Sequence, residues 1–313
     1  MFKQTLYRLL ESLGVLLLVS FFVFSIATVI PGDLALQLTG VDGATEENIA
    51  RVRRELGLDE SLYRQFLTWL ASAIQGDFGA SPLTNRDIWT SVHHALPISL
   101  QLALFGLMGS TILGAPIGIL AAVYSNSRIG QSIRTTLIVF LSIPSFVFGA
   151  LLIFFSARYF PTAYRSLFVR ISDDLGENLR VMILPTLALS LTLAGVIAQV
   201  TRNALVQELG QMYVTTAQAF GFSKRTVILV YALRGAILQI LTVTTLLFGS
   251  VVGGTVITEK IFSLPGLGSI MVGAIGNRDF KLAIVAILCV TLVYLTLNTL
   301  VDILAQKLDP RSR

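Results

Sequence analysis

Charged residues are scarce in this sequence, and six long stretches contain none. Only 13% of the 313 residues are Asp, Glu, Lys or Arg, whereas 54% are hydrophobic. The charge-free stretches are 12–30, 95–123, 135–157, 181–200, 236–258 and 282–301. About 20 apolar residues can cross a bilayer as a helix, because a helix satisfies its own backbone hydrogen bonds. The sequence therefore predicts an all-α integral membrane protein with six transmembrane helices rather than a soluble domain.

Cysteine and histidine are also rare, which limits metal and redox chemistry. Cys289 is the single cysteine and lies in the sixth stretch, so no disulfide or thiolate cluster can form within the chain. The two histidines, His93 and His94, are adjacent and would point in different directions on a helix, which disfavours a shared metal site. With no carboxylate in any stretch, the pattern favours a transport subunit over an intramembrane enzyme.

The basic excess carries information about orientation. The formal charge is +5, but the basic residues are dispersed around the stretches, so nucleic acid is not an expected partner. With a cytoplasmic N-terminus, 11 Lys and Arg face the cytoplasm and 7 lie in short external segments. The long external segment is left out of this count because it exceeds the ~60-residue range of the rule. We expect both termini in the cytoplasm, and an uncleaved first helix rather than a signal peptide.

These features divide the chain into a predicted order of segments. They are an N-terminal transmembrane helix at 1–30, an external cap at 31–94, a core permease domain at 95–301 with a cytoplasmic loop at 201–235, and a cytoplasmic tail at 302–313.

Small residues and prolines interrupt the apolar stretches. Gly114 with Gly118, and Gly249 with Gly253, form two GxxxG pairs that let helix backbones approach closely. Packing within the chain is the favoured interpretation, and an interface with a second subunit remains open. Kinks are predicted at Pro97, Pro116, Pro144 and Pro185.

The loop 201–235 has the pattern of a helical elbow. A helix is predicted over 203–220, a stop at Gly221, and a second helix over 223–233. Gly221 can adopt the positive φ that ends a helix, and Ser223 can cap the next one. Lys224 and Arg225 would then lie near the tip, within reach of a partner protein.

The segment Tyr213 to Ala236, YVTTAQAFGFSKRTVILVYALRGA, resembles the cytoplasmic signature loop of binding-protein-dependent ABC importer permeases. Ala217, Gly221 and Leu233 match the broad family pattern, whereas Thr215 and Thr216 depart from it. The variant is similar to the loop of the peptide and nickel branch. Further segments that resemble the first permease subunit of this branch are PGD at 31–33, ELGLD at 55–59, GDFGAS at 76–81, FSLPGLG at 262–268, NRDF at 277–280 and LDPR at 308–311. Leu34 replaces a usual proline.

The resemblance implies a type I importer permease fold and a set of partners. These are a homologous second permease, two ATP-binding subunits, an external solute-binding protein and the lipid bilayer. We expect no cofactor in this chain, because it lacks the GxxxxGK[ST] phosphate loop and ATP and Mg²⁺ would be bound by the partner ATPases. The residues expected to couple ATP hydrolysis to transport are Ala217, Gly221, Phe222, Ser223, Lys224 and Arg225.

Three questions stay open at the level of the sequence: the transporter class, the role of Glu259 and the substrate. An ion-coupled secondary transporter would also have broken helices, but it commonly carries titratable groups at depth, which these stretches lack. Glu259, just after the fifth stretch, is a candidate to contact a substrate's ammonium group. The alternatives for Glu259 are a solvated helix end or a pair with Lys260 or Arg278. The substrate could be a dipeptide, an oligopeptide, glutathione or a nickel complex.

Overall fold

The computed structural model describes residues 2–29, 45–55, 57, 59–160 and 167–308, and these residues are overwhelmingly helical. The β-structure in the described ranges amounts to one isolated antiparallel bridge between Ala80 and Asp87. Contacts divide the chain into two units, one formed by residues 1–98 and 265–295 and the other by 99–264 and 296–313.

The first unit holds the GDFGAS and NRDF segments. Its helices are α1 (Phe2–Val29), α2 (Glu46–Glu55), α3 (Leu62–Ile74), the first residues of α4 (Ile88–Val123), α12 (Leu267–Gly276) and most of α13 (Phe280–Leu308). One core cluster joins Ile88 and Val92 to Leu267 and Val285. The PGD segment at 31–33, positions 56 and 58 of the ELGLD segment, and residues 309–311 of the LDPR segment lie outside the described residues.

The second unit contains the remaining helices. They are α5 (Arg128–Ser142), α6 (Ser145–Tyr159), α7 (Leu175–Leu209), α8 (Met212–Ala219), α9 (Lys224–Thr226), a π-helix (Val227–Ala232), α10 (Leu233–Gly254) and α11 (Val256–Ile261), together with the rest of α4. Helix α7 is its centre, because α5, α6, α10 and α11 all contact it.

Among the described residues, four helices are long and apolar enough to span a membrane: Ile88–Val123, Leu175–Leu209, Lys224–Gly249 and Phe280–Thr299. A fifth span is possible if α5 and α6, which meet at an angle of 91°, count as one. The apolar part of α1 with described side chains, Leu10–Ile26, is shorter than a full span. The structure thus establishes an all-helical protein with four to five apolar spans, and the sixth span stays a prediction.

The prolines behave differently from one another. Pro144 lies at the break between α5 and α6, so the predicted kink is confirmed there and is in fact a sharp bend. Pro97 and Pro116 lie within the continuous helix α4, and Pro185 lies within α7. A single proline removes one backbone hydrogen bond, and neighbouring turns can carry the helix through it.

Glycines allow α4 to lie directly on α7. A Cβ added at Gly114 would overlap the backbone of Ala194, and one added at Gly118 would meet Ala198 at 2.5 Å. The packing interpretation of this GxxxG pair is therefore confirmed. At Gly253, in the second pair, an added Cβ would meet no described atom within 4 Å.

Candidate functional site

The elbow predicted within 201–235 is built from two breaks in the helical chain. Helix α7 ends at Leu209, and Gln211 is extended before α8 begins at Met212. The continuous helix predicted over 203–220 is therefore wrong, because Gly210 and the extended Gln211 interrupt it. Gly221 has φ +81°, as predicted, and ends α8. The backbone N–H groups of Gly221 and Phe222 donate to the carbonyl oxygens of Gln218 and Ala217.

The next turn is capped as predicted. The Ser223 hydroxyl accepts a hydrogen bond from the backbone N–H of Thr226 at 3.2 Å. The chain then continues through α9 and the π-helix directly into α10. π-helical segments are rare in proteins, and those that occur are frequently found at functional sites. The elbow is thus joined without a break to the span that follows it.

A buried apolar side anchors the elbow. Val214 is fully buried and Ala217 is 4% exposed, and both pack in one cluster with Leu205 of α7 and with Val227 and Ala236. The cluster connects α8 to the ends of α7 and α10. A displacement of α8 would therefore be transmitted to both spans, since close-packed interiors deform little.

The opposite side of the elbow is exposed and mixed in chemistry. Met212 and Phe220 are 84% and 79% exposed, and Phe222 is half-exposed against the Tyr231 ring. Lys224 and Arg225 are also exposed. Two large apolar side chains beside two cations are typical of a surface that docks into an apolar groove with an acidic rim. Met212 and Phe220 were not among the predicted site residues.

A polar contact holds the base of the elbow. The Tyr213 hydroxyl donates to the Glu208 carboxylate, and Gly235 lies beneath this pair. Partial burial, together with the Glu208 carboxylate, raises the pKa of Tyr213 to about 12, so the phenol keeps its proton at physiological pH. A methyl group at Gly235 would overlap both partners. The sequence offered one signal for this contact, the glycine within a helix-forming segment.

Glu259 lies in the interior of its unit rather than at a solvated helix end. Its side chain is 0% exposed. Its Oε1 accepts hydrogen bonds from the hydroxyls of Ser99 at 2.6 Å and Thr255 at 2.9 Å. The contact with Ser99 ties α4 to α11. The interpretation of Glu259 as a solvated boundary marker is wrong, because the carboxylate is enclosed, and its role in the pathway stays a prediction.

The turn after Glu259 has a defined helix stop. The backbone N–H of Leu264 donates to the carbonyl oxygen of Glu259, and the backbone N–H of Ser263 donates to the carbonyl oxygen of Lys260. Ser263 has φ +54°. This double hydrogen bond around a left-handed residue is the Schellman arrangement. It fixes the start of the FSLPGLG segment on the same residue whose side chain is held by Ser99.

The GDFGAS and NRDF segments meet in the first unit. The Ser81 hydroxyl, at the end of GDFGAS, donates to Oδ2 of Asp279 in NRDF, and both residues are buried. The other carboxylate oxygen of Asp279 accepts from the backbone N–H of Leu282 and caps α13. One carboxylate therefore joins the loop that follows α3 to the start of α13.

Comparison with known families identifies the chain. Residues 114–313 match the family described as binding-protein-dependent transport system inner membrane component, and residues 1–103 match the N-terminal region of such membrane components. The chain belongs to this family. It is therefore an inner-membrane permease component, and the alternative of an ion-coupled carrier receives no support.

Relatives of the permease match it over its full length. It is 34% identical over 312 residues to the protein of Sinorhizobium fredii named "Probable peptide ABC transporter permease protein y4tP", covering 98% of each chain. It is 33% identical over 316 residues to the glutathione transport system permease protein GsiC of Escherichia coli K12, covering 100% of this chain and 99% of the relative.

Solved structures share the fold of the permease at lower identity. An amino acid ABC transporter aligns with a TM-score of 0.52 and 16% identity, covering 70% of this chain and 94% of the other. The methionine ABC transporter MetNI in an inward-facing form gives the same TM-score and identity, with 68% and 95% covered. These similarities establish the architecture of an ABC transporter membrane subunit.

Proposed function

We propose that this permease forms half of the translocation pathway of an ABC importer for peptides or similar small polar solutes. ATP hydrolysis on partner subunits drives transport through the elbow. The observation that carries the proposal is the elbow itself, which is buried on the side of α7 and α10 and exposes apolar and basic side chains on the other.

The geometry supports a simple coupling mechanism. Met212 and Phe220 fill an apolar groove on the ATPase, while Lys224 and Arg225 pair with acidic groups at its rim. Movement of that groove carries α8 with it. Because Val214 and Ala217 are packed between α7 and α10, the movement reaches both spans as a rigid shift.

The substrate class comes from the relatives. Permeases named for peptide and for glutathione transport are similar to this chain along its whole length. Peptides and glutathione carry ammonium and carboxylate groups, and an external binding protein would select among them. Dipeptides, oligopeptides, glutathione and nickel complexes are the solutes to test. Glu259 is the proposed residue for an ammonium group when the pathway opens beside α11.

The proposal includes the subunits of the complex and the orientation of this chain in the membrane. The complex contains a homologous second permease, two ATP-binding subunits and one external solute-binding protein. ATP and Mg²⁺ are bound by the ATPase subunits. Six spans place both termini, the segment 124–134 and the elbow in the cytoplasm. The segment 31–94 forms the external cap, and residues 302–313 form the cytoplasmic tail.

The decisive experiment is reconstitution of the complete complex with its binding protein. We expect one of the candidate solutes to stimulate ATP hydrolysis and to accumulate in proteoliposomes. Replacing the exposed elbow residue in Phe220→Ser should reduce co-purification with the ATPase subunits. Leu167→Ser, at a residue that is 78% exposed on a predicted external segment, is the matched control. Stimulation by none of the solutes would contradict the substrate class, and full co-purification of Phe220→Ser would contradict the docking role.

A further inference from the structure

A long apolar groove opens on the second unit between α4, α5 and α7. Leu113 and Ile117 line it from α4, Ile133 and Leu137 from α5, and Leu191 from α7. Its volume is about 640 Å³. This volume lies within the ~300–1,000 Å³ range of sites that hold small molecules.

One end of the groove carries a positive charge. Arg128, the first residue of α5, lines it and is exposed. In the part of the chain that the structure describes, no carboxylate forms an ion pair with Arg128. The segment 124–134 contains two arginines and no acidic residue. The Arg128 guanidinium is therefore available to bind an anion from outside the chain.

The arginine is held in place by a tight turn. The Ser127 hydroxyl donates to the Tyr124 carbonyl at 2.8 Å and accepts from the Gly130 backbone N–H at 3.2 Å. A Cβ at Gly130 would overlap the Tyr124 carbonyl. The turn between α4 and α5 is thus closely packed, and the backbone that carries Arg128 has a fixed place at the end of the groove.

The length of the groove matches one leaflet of a bilayer. It runs along α5 from Arg128 to Phe140, which is roughly 18 Å at the rise of an α-helix. Half of the hydrocarbon core is about 15 Å. The charge lies at the end of α5 that follows a turn between two spans, where headgroups are found. An acyl chain extending from a headgroup at Arg128 would fill the groove to its far end.

From these observations we infer that the groove binds an anionic phospholipid, with its phosphate on Arg128 and one acyl chain between α4, α5 and α7. Charge complementarity decides the headgroup, since a basic site between spans at the membrane surface recognises anionic lipids. Ser132 and Thr136 contribute hydroxyls to the same wall and can donate to ester oxygens of the lipid. The inference goes beyond peptide import and does not depend on the solute.

The test uses the intact importer purified with native lipid. Native mass spectrometry measures the phosphatidylglycerol and phosphatidylethanolamine retained, and phosphatidylglycerol with a diazirine on its acyl chain maps the contact. We expect one retained phosphatidylglycerol per permease and labelling on the groove walls. Arg128→Gln should lower the ratio of phosphatidylglycerol to phosphatidylethanolamine about fivefold. Arg134→Gln, an exposed arginine on the same helix that does not line the groove, is the matched control.

A second variant tests the apolar part of the site separately. Ile117→Trp fills the groove and should abolish acyl labelling while the complex still assembles. Equal retention of both lipids by the wild type would overturn the inference, as would equal effects of the two arginine variants. Cross-linking of a cysteine at Ile117 to the second permease, with no lipid labelling, would also overturn it and would identify the groove as a subunit interface.

Discussion

Helices α8, α11 and α12 of this permease end in the same way, but with different residues at the left-handed position. Gly221 ends α8, Ser263 ends α11 and Arg278 ends α12, with φ of +81°, +54° and +61°. At each stop, the backbone N–H groups of this residue and of the next one donate to carbonyl oxygens in the last turn of the helix. Glycine adopts this conformation without strain, whereas a residue with a Cβ is disfavoured by roughly 1 kcal/mol or more. The elbow, like the end of α3 at Gly76, thus stops its helix with the residue that adopts this conformation without a steric cost.

Gly221→Pro should uncouple ATP hydrolysis from transport. Proline cannot adopt φ +81° and lacks the N–H that donates to Gln218, so the path of the chain at the elbow must change. Solute-stimulated transport per ATP hydrolysed is the measurement, on a complex shown to be assembled. Gly221→Asn is the control, because asparagine tolerates the left-handed region and should keep most of the coupling. Normal transport by Gly221→Pro would count against the coupling role.

Glu259→Gln should lower transport while the complex assembles and basal ATP hydrolysis persists. Glutamine keeps the size of the side chain and one acceptor oxygen for Ser99 and Thr255, but it removes the charge. Hydrogen bonds to charged groups contribute about 1.5–3 kcal/mol, more than those to neutral ones. Uptake of a zwitterionic peptide is measured below saturation.

A comparison variant separates the structural role of Glu259 from the proposed contact with substrate. Ser99→Ala removes one donor to the carboxylate but keeps its charge. If Ser99→Ala and Glu259→Gln reduce uptake equally, the tie between α4 and α11 is the important property. Uptake at the wild-type level by Glu259→Gln would contradict the proposed contact between Glu259 and the substrate.

At the scale of elements, the contact between the elbow and α10 depends on a missing side chain. Gly235→Ala would place a methyl group on the Tyr213 hydroxyl and the Glu208 carboxylate, so at least these two side chains must shift, which disturbs the packing of α8 beside α10. We expect reduced coupling. The double variant Gly235→Ala with Tyr213→Phe should recover part of it, because the hydroxyl is gone. Gly210→Ala is the control, since its Cβ would make only an ordinary contact of 3.6 Å with Gln207. Failure of the second substitution to recover any coupling would contradict this packing argument.

The elements also show which features a sequence pattern can predict. Gly221 and Ser223 were predicted correctly because helix stops and caps depend on residues within one or two turns. The break at Gly210 was missed, since an isolated glycine does not always end a helix. The Ser99–Glu259 bond joins residues 160 positions apart, so no local pattern could reveal it.

For the whole molecule, orientation is the property to test next. The charge pattern predicts a cytoplasmic elbow and an external segment 158–180. In a Cys289→Ser background, which has no cysteine, an impermeant thiol reagent should label Ser172→Cys in intact cells. It should label Ser223→Cys only after the cells are opened. Both positions are exposed, so a difference in labelling reports the side of the membrane. Labelling of Ser223→Cys in intact cells would contradict the predicted topology and place the elbow outside the cytoplasm.

The fold class was predictable from composition, because six charge-free stretches of this length are typical of membrane-spanning helices and not of a soluble domain. The number of spans was less certain, since length alone does not show where a helix bends. The stretch 135–157 is uninterrupted by charge, yet the chain turns by 91° within it at Pro144. Such a bend depends on neighbouring helices that satisfy or shield the freed backbone groups.

That bend has a consequence for the surrounding bilayer. Helices α5 and α6 have 15 residues each, so each arm is roughly 22 Å long. Neither arm reaches across about 30 Å of hydrocarbon, and two arms at 91° cannot add their lengths along the membrane normal. A segment that is too short is accommodated by local thinning of the membrane or by protein beside it. The permease should therefore be sensitive to hydrophobic mismatch, with transport falling as the acyl chains of the host membrane lengthen.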